Sequence, residues 1–223
     1  MKLSDLKPAS QLANTFGVKC IVYGAPGTGK TPLVATAPRP VMCVCEPGML
    51  SMRNVKNVPA WEANTIAKID EFFEWIKSAE AKSFDTICID SISEMAELSL
   101  TKEAGSVKDK RQAYGAMKEY IYTKLTQLYY TKEKNTYLIA KMHQIEEEGV
   151  LTKRPYFPGK ELNNLVPHMY DEVLNIGLNM IGGINHLSIR TKSSFGVFAR
   201  DRSGKLDELE RPDIGFIFNK CLQ

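Results

Sequence analysis

The chain holds only five cysteines, an odd number, and Cys20, Cys43, Cys45 and Cys88 fall inside apolar, strand-like runs. Cysteine in such runs behaves as a small buried hydrophobe. Cys43 and Cys45 form a CxC with no second cysteine pair and no nearby histidine, which does not match the ligand spacing of a zinc site. An excess of one charge is also missing. The 29 basic and 26 acidic residues leave a formal net charge of +3, so bulk charge does not announce a nucleic-acid binder. No stretch approaches the ~18–20 uninterrupted apolar residues that a membrane-spanning helix needs, and MKLSDLKPAS lacks the apolar run of a secretory signal. The expectation is a cytoplasmic protein with no membrane partner. Internal repeats and low-complexity linkers are absent too. What remains is an ordinary globular balance: 223 residues, 43% hydrophobic and 25% charged, enough apolar material for a core.

The hydrophobic pattern alternates between strand-like and helix-like segments. Val18–Tyr23 reads as a buried strand, followed at once by GAPGTGKTPL and an apolar run to Ala37. Pro40–Cys45 and Phe84–Asp90 are further buried strands, as is Thr136–Met142. Between them, Ile66, Ile69, Phe72, Phe73 and Ile76 recur at helical spacing, and so do Tyr114, Met117, Ile121, Leu125 and Leu128. Beyond Gln144 the composition turns polar and turn-rich, and residues 144–168 are expected to form a mobile loop region. Short β-type segments follow at Glu172–Ile176, His186–Thr191 and Phe195–Ala199, then a helix over Asp213–Cys221. Strands alternating with helices predict one α/β domain over 1–223: a mainly parallel sheet flanked by helices, with a β-rich carboxyl-terminal part. Residues 1–16 form an amino-terminal extension to it.

Gly24-Ala25-Pro26-Gly27-Thr28-Gly29-Lys30-Thr31 matches GxxxxGK[ST] and lies between a buried strand and a helix-like run. Glycines let backbone amides curl around phosphates, and a helix amino terminus adds positive potential. Lys30 is placed to reach the β- and γ-phosphates of ATP, and the Thr31 hydroxyl to bind Mg²⁺. Pro32 is tolerated early in a helix, where its missing amide has no partner. Thr86–Asp90 is an apolar strand ending in a carboxylate, so Asp90 is the second candidate Mg²⁺ ligand; helix capping from near Ser91 is its structural alternative. AAA+ enzymes place a glutamate directly after that aspartate, and Ser91 stands there instead. Glu46 and Glu94 remain to orient water. Glu46 is favoured because it ends a buried strand, at the carboxyl edge where open α/β sheets place their ligands. His143, ending the TYLIAKM run, or Gln144 beside it, is the candidate γ-phosphate sensor.

This order of parts resembles a RecA-type ATPase: a Walker A loop, a strand ending in Glu46, a strand ending in Asp90-Ser91, and a strand ending in His143-Gln144. Ala199-Arg200-Asp201-Arg202-Ser203-Gly204 resembles the Lys-Asn-Arg-x-Gly finger of DnaB and RadA-like ATPases, with Arg200 in place of the lysine. More narrowly, CEPGMLSMR, MHQ, PYFPGKELNNLVPHMYDEV and TKSSFGVFARDRSGKL are similar to segments of the phage-encoded Sak single-strand annealing group. That resemblance spans about Val18 to Cys221. It implies an oligomeric ATPase, ring or filament, acting on single-stranded DNA in phage recombination or replication, alongside a single-strand-binding protein. It also implies that Arg202, with Arg200, reaches into a neighbouring subunit's nucleotide.

Charge distribution adds modest support. Glu62–Glu103 holds ten acidic and four basic residues, whereas Thr101–Lys134 and Val150–Lys205 each hold eight basic and four acidic. Lys108, Lys110 and Arg111 beside Tyr114, and Lys153 and Arg154 beside Tyr156 and Phe157, are candidate DNA contacts. Solvated helix faces and a buried Tyr114 are the structural alternative. A P-loop small-molecule kinase and a helicase loader or nucleotide-switch scaffold are the competing functions.

Overall fold

A computed structural model describes residues 5–13 and 15–223; the remainder of the expected amino-terminal extension, residues 1–4 and 14, lies outside them. In chain order the elements are α1 (Ala9–Ala13), β1 (Lys19–Tyr23), β2 (Pro40–Val44), β3 (Ala60–Glu62), α2 (Ile66–Trp75), β4 (Thr86–Asp90), α3 (Ile92–Ala104) and α4 (Lys110–Tyr129). The second half adds β5 (Asn135–Ala140), β6 (Met142–Glu147), β7 (Val150–Pro155), α5 (Lys160–Met169), β8 (Glu172–Ile181), β9 (Ile184–Arg190), β10 (Arg200–Asp201), β11 (Leu209–Glu210) and α6 (Ile214–Cys221).

The main sheet runs β11-β9-β8-β1-β5-β4-β2-β3, with β10 also paired to β8. Strands from β3 to β8 are parallel, and β9, β10 and β11 join antiparallel. This is the expected architecture, a mainly parallel sheet with a β-rich carboxyl-terminal part. Parallel strands covered on both faces read as continuous apolar runs, and every residue of β1, β2 and β4 is buried. Period-two alternation splits each strand between two cores. In β1, Ile21 and Tyr23 face one core with residues of α2, α3, α4 and α5. Cys20 and Val22 face the other with Leu33, Val34 and α6. Cys20, Cys43 and Cys88 in the strands, and Cys45 just past the end of β2, are buried thiols, as their apolar surroundings predict. No helix among the described residues is long and apolar enough to cross a membrane.

Three expectations are corrected. Residues 144–168 are not an open loop: β6 and β7 form an antiparallel hairpin, and α5 follows. The strand expected through Met142 stops at Ala140 because the Lys141 carbonyl accepts from Tyr156 N at 2.9 Å. The chain there leaves the main sheet and pairs with β7. Phe195–Ala199 is not a strand either. It closes a tight turn through Ser194 and Val197, with Gly196 at a φ of 72°.

Candidate functional site

The phosphate loop leaves β1 at Tyr23 and meets the carboxyl ends of β2, β4 and β5. Gly24 is required by contact: an added Cβ there would lie 2.4 Å from the Ile176 carbonyl oxygen on β8. Gly27 and Gly29 take φ values of 76° and 86° and have open space beside them, so the loop presents an unobstructed concave backbone. Lys30 folds over it, donating to the carbonyls of Gly24 and Ala25 at 2.9 Å each. Beneath it the buried Tyr137 hydroxyl donates to the Lys30 carbonyl at 2.8 Å. Thr28 Oγ1 donates to Ala25 O at 2.8 Å.

The element after the loop departs from expectation. Pro32–Thr36 is a single short 3₁₀ segment rather than an α-helix. Pro32 supplies no amide, and Pro38 holds Ala37 before it in extended backbone, at a φ of −73° and ψ of 149°. A five-residue segment offers little macrodipole, so attraction for phosphate rests on the loop amides and Lys30.

Thr31 Oγ1 donates to Asp90 Oδ2 at 2.7 Å. Burial pushes the Asp90 carboxyl up to about 6, the Thr31 hydrogen bond opposes the shift, and nearby Glu46 adds to it. Burial likewise lowers Lys30, while Asp90 and Glu46 pull it back up. Glu46 is brought to Asp90 because the Asp90 carbonyl accepts from Cys45 N at 2.6 Å and from Glu46 N at 3.2 Å. Ser91, across the cis Asp90–Ser91 peptide bond, caps α3 by accepting from Glu94 N at 3.1 Å. Its hydroxyl donates to Glu46 Oε1. Lys30, Thr31, Glu46, Asp90 and Ser91 thus line one cavity of about 450 Å³. The hydroxyl and carboxylate of Thr31 and Asp90 are hard oxygen donors of the kind Mg²⁺ takes. The open glycine backbone beside Lys30 suits phosphate oxygens.

Lys141 also lines this cavity and was not singled out from sequence. Its ammonium donates to Glu94 Oε2 at 2.6 Å and Glu97 Oε2 at 2.8 Å. Burial lowers its pKa, but the two carboxylates outweigh that and hold it above the usual lysine range. Glu94 is therefore tied to Lys141. The available signal was a lone basic residue closing the apolar run Tyr137–Ala140. His143 is two residues further on, outside the cavity lining. It sits in β6 opposite Arg154, ring to ring with Tyr156 at 5.5 Å, and its buried Nε2 has no hydrogen-bond partner among the described residues. Burial, then Arg154, lowers its pKa. Gln144 pairs with Lys153 in the same hairpin.

Arg200 and Arg202 lie at the opposite edge of the sheet. β10 pairs with Glu172 and Val173, which begin β8, whereas the P-loop follows the other end of β1. Arg202 Nη1 contacts Asp171 Oδ1 at 2.9 Å and Nη2 donates to His168 O at 3.0 Å. Arg200 Nη2 donates to the Tyr170 carbonyl, and its buried Nε has no hydrogen-bond partner among the described residues. Neither reaches this chain's own phosphate loop. Among the basic residues, Lys108, Lys110 and Arg111 are exposed at the start of α4. Tyr114 is 45% exposed, so the buried alternative is corrected. Arg154 is occupied within the fold, paired with Glu147 at 3.0 Å and lying 4.4 Å over the Phe198 ring. Lys153 shares its strand without a side-chain partner among the described residues.

Comparison with solved structures finds similarity to a KaiC-like protein, PH0186, from the hyperthermophilic archaeon Pyrococcus horikoshii OT3. The TM-score is 0.44 at 14% identity, covering 81% of this chain and 84% of that one. The flagellar accessory protein FlaH from Methanocaldococcus jannaschii gives 0.42 at 12% identity, covering 79% and 78%. No curated protein matches the sequence. The family model for an AAA domain matches residues 17–203. That span runs from the start of β1 through the phosphate loop, Glu46 and Asp90 to the segment carrying Arg200 and Arg202. With most of its length matched, the chain belongs to the AAA domain family and so to the P-loop ATPases.

Proposed function

We propose that this protein is a RecA-like, ATP-hydrolysing protein that acts on single-stranded DNA as an oligomer, in recombination, annealing or replication of the phage type. The observation that carries the ATPase part is the convergence of Lys30, Thr31, Asp90 and Glu46 in one cavity. Nucleotide binding would have Lys30 exchange its two loop carbonyls for phosphate oxygens. Thr31 and Asp90 would hold Mg²⁺, which when bound supplies positive charge against the β- and γ-oxygens. Glu46, held in orientation by Ser91, is placed to align water and take its proton. Arg202 would have to leave Asp171 to stabilise charge on a neighbouring copy's γ-phosphate.

The experiment separates binding from turnover. Glu46→Gln keeps the Ser91 hydrogen bond and loses the base, so it should bind ATP normally while phosphate release falls ~10²–10⁴-fold. Wild-type turnover in this variant would remove Glu46 from the mechanism.

A further inference from the structure

We propose that the groove between the amino-terminal turns of α4 and α5 is the site that takes single-stranded nucleic acid, with Tyr114 as its base-stacking platform. This rests on the reading of the protein as a DNA-acting ATPase and assigns its DNA partner a place on the surface. Arg111, Tyr114, Gly115 and Lys118 fall at i, i+3, i+4 and i+7 on α4, so they share one face. Opposite them stand Pro158, Gly159 and Lys160, and the cavity between is about 320 Å³. That lies at the small end of the ~300–1,000 Å³ range of ligand sites, a size suited to one base with its flanking phosphates.

Three features make this a built groove. Tyr114 is held in place and still presented: its ring packs against Gly159, where an added Cβ would come within 3.4 Å of it, yet 45% of the residue is exposed. A pre-positioned ring loses little rotamer freedom on stacking, and every base offers it a π-face. Gly115 keeps the floor open: apart from its chain neighbours and the backbone of its own helix, no atom comes within 4 Å of where a Cβ would stand. The charge is basic and available. Lys118 is paired with Glu161 at 2.5 Å, but among the described residues neither the Arg111 guanidinium nor the Lys160 ammonium makes an ion pair or hydrogen bond; Arg111 donates only its backbone N, to the helix-capping Asp109. The candidate contact Arg154, in contrast, is already paired with Glu147.

The far wall is rigid and tied to the nucleotide cavity. Asn163 accepts from Phe157 N at 2.8 Å and donates to Phe157 O at 2.9 Å and Gly159 O at 2.8 Å. Two residues before Pro158, Tyr156 N donates to the carbonyl of Lys141, which lines the nucleotide cavity. Ser93 closes the link, accepting from Lys141 N at 2.9 Å and donating to Tyr156 O at 2.6 Å. A shift of Lys141 on nucleotide binding therefore bears directly on the segment that carries the groove wall.

The test is binding of a fluorescent oligo-dT to the full chain with a non-hydrolysable ATP analogue, measured by anisotropy over a salt series. Tyr114→Ala should weaken binding about tenfold or more, with Tyr114→Phe restoring it. Gly115→Leu fills the floor with a better helix former. It should melt no lower than wild type and bind at least tenfold more weakly, a pairing that a merely structural effect does not produce. Arg111→Gln with Lys160→Gln should flatten the slope of log affinity against log salt by about 1.4. Unaltered affinity in Tyr114→Ala and Gly115→Leu, with wild type binding well, would overturn the groove and leave the DNA-acting reading standing. Wild type that does not bind oligo-dT at all would overturn both.

Discussion

Lys30, Thr31 and Asp90 were legible because each role is set by position: a glycine-rich loop after a buried strand, or a carboxylate closing one. Glu46 was legible for the same reason, since the end of β2 lies beside the end of β4. Lys141 was not, because its partners Glu94 and Glu97 lie on α3, more than forty residues away. Another residue invisible to motif reading is Glu172, fully buried at the start of β8. Burial pushes its carboxyl up to about 8, with nearby Asp201 adding to the shift and a hydrogen bond from Ser203 N opposing it. Its Oε2 has no hydrogen-bond partner among the described residues. The folded state thus holds this proton more tightly than the unfolded chain, whose ordinary value is 4.5. The stabilisation is full below about 4.5 and is lost as pH rises to about 8. Glu172→Gln removes the titration. Its melting temperature should match wild type near pH 5 and exceed it increasingly up to pH 8; a constant offset across that range would contradict the assignment.

Elements with a strong single period were readable. β1, β2 and β4 are short, fully buried runs in which apolar residues prevail, and α2 and α4 repeat at helical spacing. The β6–β7 hairpin was missed because most of its residues are only partly buried and apolar residues are few and scattered in it. Its pairing is decided by tertiary contact: the Tyr23 hydroxyl, at the head of the phosphate loop, lies 2.9 Å from the Lys153 carbonyl. α5 was obscured by Pro158 and Gly159 before it and by Pro167 within it. What fixes its start is Asn163, through three hydrogen bonds to the preceding turn. Asn163→Ala should destabilise the protein by about 1–3 kcal/mol, lowering the melting temperature by roughly 2–4 °C per kcal/mol. ATP affinity should barely change. A melting curve that superimposes on wild type would show that the turn does not depend on that side chain.

At the scale of the molecule, β8 links two surfaces. Its first residues pair with β10, which carries Arg200, and its last half runs with β9 past the phosphate-loop edge of the sheet. On this projecting ribbon Leu178, Met180 and Ile184 are 71%, 72% and 63% exposed. An apolar ribbon at one end and arginines that do not reach their own phosphate loop at the other together support the proposed assembly of copies. Leu178→Asp with Met180→Asp should lower the mass measured by sedimentation with nucleotide. Turnover should fall with it, as it should in Arg202→Ala. An unchanged mass and rate would place the ribbon outside any working interface.

On the proposed function, one cavity, built by Lys30, Thr31, Asp90 and Glu46, hydrolyses ATP in response to DNA. The direct measurement is phosphate release with and without single-stranded DNA, alongside Lys30→Ala. Turnover should rise with DNA and disappear in the variant. ATP bound tightly by wild type with no phosphate released, whatever DNA is added, would contradict it and make the protein a nucleotide switch.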